Sequence, residues 1–312
     1  MKALIIGAAG FVGGYLADHL QKDCGWSVSV TKMPHETCAI ENVEVYNLDI
    51  LEKEAVKTLF ETIQPDYIFH LAAQSSVAVS WKRPELTVDV NVKGCVNVLE
   101  AARELAKKPR ILLIGSSEEY GPSLEEENPV TENQPLRPGN IYAATKACQG
   151  MLGSIYAKAY QMDVMMVRAF NHIGPKQAPL FVVSDFCKQV VEIEKGLREP
   201  VMYVGNLSAK RDFTDVRDIV RAYSALIQKG TPGETYNVGS GHAIAIQELL
   251  DAILKLSTTK IKVEIDPQKL RPVDVPIVEA DVSKLKKETG WERKYALENT
   301  LKDILEYWRG LI

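Results

Sequence analysis

The sequence predicts an α/β fold, a doubly wound parallel sheet with a smaller mixed α/β lobe on its C-terminal side. Three observations carry that reading. Short β-branched or aliphatic runs alternate with helical stripes through the first two-thirds of the 312 residues. A glycine-rich turn joins the first run to the first stripe. The rhythm then breaks into shorter, proline-punctuated segments after about residue 171.

The elements follow in order. Residues 3–6 form a strand run, and Val12, Leu16 and Leu20 recur behind it at helical spacing. Residues 28–30 and 43–46 are the next strand candidates. Val56, Leu59, Phe60 and Ile63 form a helical stripe, and a strand at 67–69 follows the Pro65-Asp66 turn. One long helical pattern covers about residues 86–106, ahead of a strand at 111–114. Alternation at this spacing implies right-handed βαβ units and a sheet covered by helices on both faces. Farther on, Gly174-Pro175, Ala178-Pro179, Glu199-Pro200 and Thr231-Pro232-Gly233 separate shorter elements, with helical stripes at 246–256 and 297–308.

Hydrophobic residues make up 46% of the chain and charged residues 25%, a globular balance that argues against disorder, collagen-like repeats and coiled coil. The 37 basic and 41 acidic residues leave a net charge of −4, with no basic block suited to nucleic acid or a membrane surface. The apolar stretch at 3–17 is shorter than the roughly 18 residues a membrane span needs. It is interrupted by Gly7, Gly10, Gly13 and Gly14 and lacks a signal-peptide cleavage pattern. The 5 cysteines are widely spaced with no C-x-x-C pair. That points to buried, reduced thiols in a cytoplasmic protein and to no metal centre.

Gly7-Ala8-Ala9-Gly10-Phe11-Val12-Gly13 sits directly after the first strand and opens the first helix. Glycine there lets the backbone turn tightly and approach a pyrophosphate, while the helix N-terminus offers free N–H donors and a positive dipole end. A tight strand-to-helix turn needs glycine for structural reasons too. Its place in a βαβ unit makes the loop a dinucleotide site of Rossmann type. An acid ending the second strand would bind the adenosine ribose and favour NAD. Thr31 and Lys32 stand there instead. A hydroxyl and an ammonium tolerate a 2′-phosphate better, so NADP(H) is expected, with NAD(H) possible. Lys32 as a plain surface lysine is the alternative. Asp49, ahead of Ile50 at the end of the third strand, is read either as an acceptor from the adenine amine or as a helix N-cap.

Tyr142 and Lys146 stand at i and i+4 on one helix face. A nearby ammonium favours the phenolate and so brings a tyrosine, ordinarily near about 10, closer to useful proton transfer. The strand at 111–114 runs into Gly115-Ser116-Ser117-Glu118, and strand carboxyl ends line the ligand crevice of a doubly wound sheet. A Ser116 hydroxyl there can hydrogen-bond a reacting carbonyl beside Tyr142.

Gly7-x-x-Gly10-x-x-Gly13, Leu71-Ala72-Ala73, Ser116 and Tyr142-x-x-x-Lys146, in this order, resemble the extended short-chain dehydrogenase/reductases over nearly the whole chain. Residues 73–81, 116–121 and 168–172, Gly205-Asn206-Leu207 with Arg211-Asp212, and Arg271-Pro272-Val273-Asp274 are similar to one branch of them, the GDP-mannose 4,6-dehydratases and GDP-4-keto-6-deoxy-mannose reductases. The resemblance implies roles. Tyr142 would transfer a proton at the sugar 4-position, Lys146 would tune it and hold the nicotinamide ribose, and Ser116 would orient the carbonyl. Gly7, Gly10, Phe11, Val12 and Gly13, the strand ends Thr31, Lys32, Asp49 and Ile50, and Leu71, Ala72 and Ala73 would hold the cofactor. Phe170 and His172 would sit by the nicotinamide. Gln74, Ser75, Val79, Ser117, Glu118 and Asn171 would contact a nucleotide-sugar substrate. Asn171, Arg211 and Arg271 would hold its diphosphate, and Asp274 a nucleotide ribose. Guanidinium forks suit a diphosphate, although either arginine alone reads equally as a surface ion-pair partner.

On this resemblance residues 1–171 form a dinucleotide-binding domain that carries the catalytic residues. Residues 172–312 are mainly a nucleotide-sugar-binding lobe, with some segments returning to the first domain. Glu118 matches the acid/base that a 4,6-dehydratase needs. The glycine loop nevertheless lacks that group's Gly-Gln-Asp-Gly-Ser run, residues 32–42 lack its paired arginine and serine cluster, and the chain is shorter. The expected activity is therefore NAD(P)H-dependent reduction of a GDP-4-keto-6-deoxyhexose. Dehydration of GDP-mannose comes second, nucleotide-sugar 4-epimerisation third, and a non-catalytic cofactor-binding protein last. A homodimer is expected as well. Val92, Val96, Leu99, Met151, Leu152 and Ile155 make an apolar stripe on two helices, unless both helices are buried within the monomer.

Overall fold

The computed structural model describes residues 1–122, 125–269 and 275–312. The chain opens with β1 (Lys2–Ile6), α1 (Phe11–Lys22), β2 (Ser27–Lys32), β3 (Glu44–Asn47), α2 (Lys53–Ile63) and β4 (Tyr67–His70). Next come α3 (Val77–Lys82), α4 (Pro84–Val88), α5 (Gly94–Glu104), β5 (Arg110–Ser116), α6 (Ile141–Tyr160) and β6 (Val164–Ala169). The remainder is β7 (Asn171–Ile173), α7 (Val182–Glu194), β8 (Val201–Val204), β9 (Lys210–Asp215), α8 (Val216–Lys229), β10 (Thr235–Val238), β11 (Ala243–Ala245), α9 (Ile246–Lys255), β12 (Lys262–Ile265), β13 (Ile277–Val278), α10 (Ser283–Thr289) and α11 (Leu297–Leu311).

Seven strands form one parallel sheet in the order β10-β6-β5-β4-β1-β2-β3. Four of the five β1 residues are buried, as a strand covered on both faces requires. On one face Leu16 and Leu20 of α1 pack with Ile219, Tyr223 and Leu226 of α8. On the other, Phe60 of α2 packs with Val98 and Leu99 of α5 and Tyr156 of α6. Full burial of such an aliphatic or aromatic side chain contributes roughly 1.5–3 kcal/mol. Thus α8 and β10, from the later third of the chain, complete the first core. A second core gathers Phe186 and Val190 of α7, Leu249 of α9 and Ile304 and Trp308 of α11 around β8 and β9.

Three expectations change here. The helical pattern at 86–106 is not one α-helix. It divides into α4, a π turn at Asp89–Lys93 and α5, which ends at Glu104. The wide turn is where Asn91 leaves the apolar stripe and points inward, a use to which π turns are often put. Leu99 faces the core, fully buried, so it is no part of an outward stripe; Met151 and Ile155 are 57% and 55% exposed. All the cysteines are free, but only Cys95 and Cys187 are buried; Cys24, Cys38 and Cys148 are partly exposed. Among the described residues no helix is long and apolar enough to cross a membrane.

Candidate active site

The strand order reverses between β1 and β4, and the crevice of a doubly wound sheet opens there, outside the carboxyl ends of the strands. Gly7, the first residue after β1, has φ +82°, and a Cβ on it would stand 2.6 Å from Ala72 Cα. Only glycine lets the turn after β1 lie against the turn after β4. Gly13 is needed for a different reason: its Cβ would strike the Ala8 carbonyl, so α1 could not begin so close to β1. Gly10 caps α1 without a side chain, leaving the first-turn N–H groups of this 12-residue helix with no side-chain acceptor. Close backbone approach and open donors at a positive helix end fit a dinucleotide pyrophosphate.

Thr31 does not face that cradle. Its Oγ1 accepts the Gly7 N–H at 3.1 Å, its carbonyl accepts the Ala8 N–H at 2.8 Å, and it is 1% exposed. The expected hydroxyl for a 2′-phosphate is instead an anchor of the glycine turn. Lys32 remains half-buried at the end of β2, its Nζ donating to the Met33 carbonyl at 3.2 Å. Asp49 is not a helix cap. Its Oδ1 accepts the Leu51 N–H at 2.9 Å, and the cap position of α2 is Glu52. Ile50 is buried over Gly94. Val12, Leu71, Ala72 and Ala73 are half-buried. Phe170 is 1% exposed and closed into a cluster with Tyr120, Val130, Ala280 and Val282, so its ring presents no face to a nicotinamide, contrary to expectation. His172 is half-buried and stacks on Phe11, ring centroids 6.0 Å apart. Burial lowers its pKa, and its Nδ1 lies 3.1 Å from the Phe170 carbonyl.

Ser116, Tyr142 and Lys146 come together where β5 ends. Ser116 closes β5 and caps the 3₁₀ turn Ser117–Tyr120, its Oγ accepting the Glu118 N–H at 3.2 Å. Asn140 caps α6, its Oδ1 accepting the Ala143 N–H at 2.8 Å, while its Nδ2 donates to Glu118 Oε2 at 2.7 Å. One asparagine therefore fixes both the helix that carries Tyr142 and the Glu118 carboxylate. The Tyr142 pKa is pushed up, chiefly by burial. A hydrogen bond with the Ser116 side chain opposes this, and the Glu118 and Glu119 charges add to it. The expected lowering by Lys146 is absent. Lys146 Nζ donates to the Ile114 carbonyl at 2.7 Å and to Gln149 Oε1 at 3.2 Å. Burial brings the lysine's own pKa down to about 8. The arrangement is a neutral phenol beside a hydroxyl, with an ammonium behind it that still carries its proton at neutral pH.

The expected substrate contacts divide. Gln74 is partly exposed, with Oε1 accepting the Ser76 N–H at 2.7 Å and Nε2 donating to Thr87 Oγ1 at 2.9 Å. Ser75 and Asn171 are exposed; Val79 and Ser117 are half-buried. Asn171 Nδ2 donates to the Asp212 carbonyl at 3.3 Å. Arg211 Nη1 donates to the Val275 carbonyl at 2.7 Å and ties β9 to the segment before β13. Arg271 and Asp274 lie outside the described residues.

Several residues at the site carry roles that sequence reasoning missed. Asn140 shows as a cap signal, an asparagine just after Pro138-Gly139 and ahead of the helical pattern. Ser116-x-x-Glu119 matches a capping box. Asn91 had no signal at all. It accepts the Gln74 N–H at 2.8 Å and donates to Thr145 Oγ1 at 2.9 Å, joining the turn after β4 to α6.

The model of the GDP-mannose 4,6 dehydratase family matches residues 4–304. GDP-6-deoxy-D-mannose reductase of Pseudomonas aeruginosa is 28% identical, over 100% of this chain and 98% of that one. The structure of RMD from Pseudomonas aeruginosa complexed with NADPH superposes with a TM-score of 0.88 at 27% identity, again over 100% and 98% of the two chains. The UDP-glucose 4-epimerase of Thermus thermophilus, in complex with NAD, gives 0.89 at 28% identity over 100% of both chains. A match that runs from the first strand into the last helix agrees with a fold laid down in the same order, and the chain belongs to the GDP-mannose 4,6 dehydratase family of the extended short-chain dehydrogenase/reductases.

Proposed function

We propose that this chain is an enzyme that reduces the 4-keto group of a GDP-4-keto-6-deoxyhexose to a GDP-6-deoxyhexose of the GDP-rhamnose type. NADPH is the preferred reductant and NADH a possible one. The observation that carries the reading is the meeting of Ser116, Tyr142 and Lys146 at the end of β5 in a chain 28% identical over its whole length to the GDP-6-deoxy-D-mannose reductase of Pseudomonas aeruginosa. A reductase needs a phenol that holds its proton at neutral pH, because that proton must pass to the alkoxide forming at C4. Burial, with the Glu118 and Glu119 charges, raises the Tyr142 pKa, in keeping with a proton donor. Glu118, tied to Asn140, is read as a substrate contact rather than as the acid/base of a dehydratase.

A nicotinamide cofactor, when bound, supplies the hydride. Ser116 orients the carbonyl by hydrogen bonding to its oxygen, Tyr142 delivers its phenolic proton there, and the Lys146 ammonium stabilises the developing negative charge. The glycine cradle with Ala72 holds the pyrophosphate, and Lys32 is the cation placed for a 2′-phosphate. The reductase of Pseudomonas aeruginosa supports the reaction, the NADPH complex of RMD from the same organism supports the cofactor, and the guanine assignment rests on the reductase and on the family. We assign cofactor and catalysis to residues 1–171 and the nucleotide sugar mainly to 172–312. We read α5 and α6 as the contact of a homodimer, on the exposure of Met151 and Ile155.

Mixed with NADPH and a GDP-4-keto-6-deoxyhexose, the protein should consume NADPH mole for mole, and NADH more slowly. Tyr142→Phe should cost about 10²–10⁴ in rate, the usual worth of a positioned acid, and Glu118→Gln far less. Conversion of GDP-mannose to its 4-keto-6-deoxy product without net cofactor change, abolished by Glu118→Gln, would overturn the reading in favour of dehydration.

A further inference from the structure

We infer that Glu119 is a positioning residue for this site, its buried carboxylate fixing Ser116 through the backbone and balancing the charge of Lys146. Glu119 touches no substrate; it is 2% exposed beneath the turn that carries Ser116. Its Oε1 accepts the Ser116 N–H at 2.8 Å, and its Oε2 accepts Arg168 Nε at 3.0 Å. Arg168 stands opposite Gly115 in the β5–β6 register. Its Nη1 donates to the Tyr120 hydroxyl at 3.0 Å and to the Glu132 carbonyl at 3.1 Å. The Tyr120 hydroxyl in turn donates to Asn237 Oδ1 at 2.7 Å. The carboxylate is thus rooted in β6 and β10 while it grips the end of β5. Gly115 makes room for it, since a Cβ there would strike Glu119 Oε1.

A buried ion pair is weak evidence for stability, because well-packed apolar residues in its place are often as stable or more so. Burial raises the Glu119 pKa, while Arg168, the Ser116 N–H and Lys146 oppose this and favour the carboxylate. What the pair adds is a negative charge held near the active-site ammonium. The titratable groups that face Lys146 are Glu119 from the turn after β5, Cys95 from α5 and His70 from β4. Burial lowers the Lys146 pKa, and the Glu119 charge is the larger of the two influences that raise it. The same charge helps to keep Tyr142 protonated. Glu119 therefore positions the serine through the hydrogen bond from its N–H and, as a carboxylate, favours the protonated forms of both Lys146 and Tyr142.

The inference rests on the proposed roles of Ser116, Tyr142 and Lys146, and its test keeps the two apart. Glu119→Gln keeps the size and an acceptor for the Ser116 N–H. Glu119→Gln combined with Arg168→Gln removes both charges, so that no unpaired guanidinium threatens folding. In the unliganded, lysine-labelled protein, with Lys146 assigned through Lys146→Arg, NMR should show the Lys146 midpoint falling by about half a unit or more in both variants. For whichever of reduction, dehydration or epimerisation the wild type performs, kcat should fall about tenfold or more with little change in KM. The alkaline limb of its pH profile should move to lower pH. A merely structural Glu119 would lower the melting temperature and leave the midpoint and the limb in place. A folded variant with an unmoved Lys146 midpoint, or with kcat within about twofold of wild type, overturns the inference. A wild type that dehydrates or epimerises overturns only the reductase reading, and if it turns over nothing the midpoint alone decides.

Discussion

His70 ends β4 on the Lys146 side of the sheet, fully buried, and neither ring nitrogen has a hydrogen-bond partner among the described residues. Burial, and to a lesser degree the Lys146 charge, hold its pKa down at about 3, against an ordinary 6.5. Unfolding returns the ring to water and to its ordinary value. Between the two values the unfolded chain binds a proton that the native chain does not. The His70 contribution is therefore fully present above about pH 6.5 and is lost as pH falls toward 3. Each unit is worth about 1.4 kcal/mol, so by roughly pH 4.5 this one histidine should cost about 3 kcal/mol relative to neutral pH. His70→Leu removes the titration and the two unpaired nitrogens while keeping an apolar filling. Urea unfolding of both proteins at neutral pH and near pH 4.5 should show the variant gaining on the wild type by about 3 kcal/mol over that interval. At neutral pH it should be no less stable, because no buried polar atom is left unpaired. A difference between the two proteins that does not change with pH would mean that the native ring is paired or charged, and would refute the reasoning.

The remaining predictions concern the cofactor cradle and assembly. Gly7→Ala should cost about 1–2 kcal/mol in stability for its left-handed backbone alone and should sharply weaken NADPH binding by fluorescence titration, because the added methyl pushes the turn away from Ala72. Binding as tight as wild type would count against the cradle. Light scattering at micromolar concentration should give twice the 34.7 kDa chain mass, and Ile155→Asp should give a folded monomer. A monomeric wild type removes the α5–α6 contact from consideration.

How much of this was legible depended on the distance over which a signal acts. The alternation of strands and helices, the Gly7 and Gly13 turn and the Tyr142–Lys146 spacing are local patterns, and each appears in the structure where the chain announced it. Glu119 was present in the sequence as the fourth position of Ser116-x-x-Glu119, but its partner Arg168 lies 49 residues away, so its burial as an ion pair was not legible. The buried packing of Phe170 and the internal hydrogen bonds of Gln74 were not legible for a related reason. An aromatic ring or an amide reads the same whether it faces a crevice or closes a gap in the protein.

The sequence by itself determined the doubly wound fold, the glycine cradle and the residues that meet at the end of β5. Periodicity and turn chemistry act over a few residues, and strand carboxyl ends converge in any sheet of this kind. Only the tertiary structure decided which way the side chains at those ends face and what charge they carry. Thr31 turned inward to hold Gly7, Lys146 turned to the Ile114 carbonyl, and burial raised the Tyr142 pKa. Orientation and charge follow from burial and from neighbours brought together across the sheet. Desolvation is a property of the space around a group, not of its place in the chain.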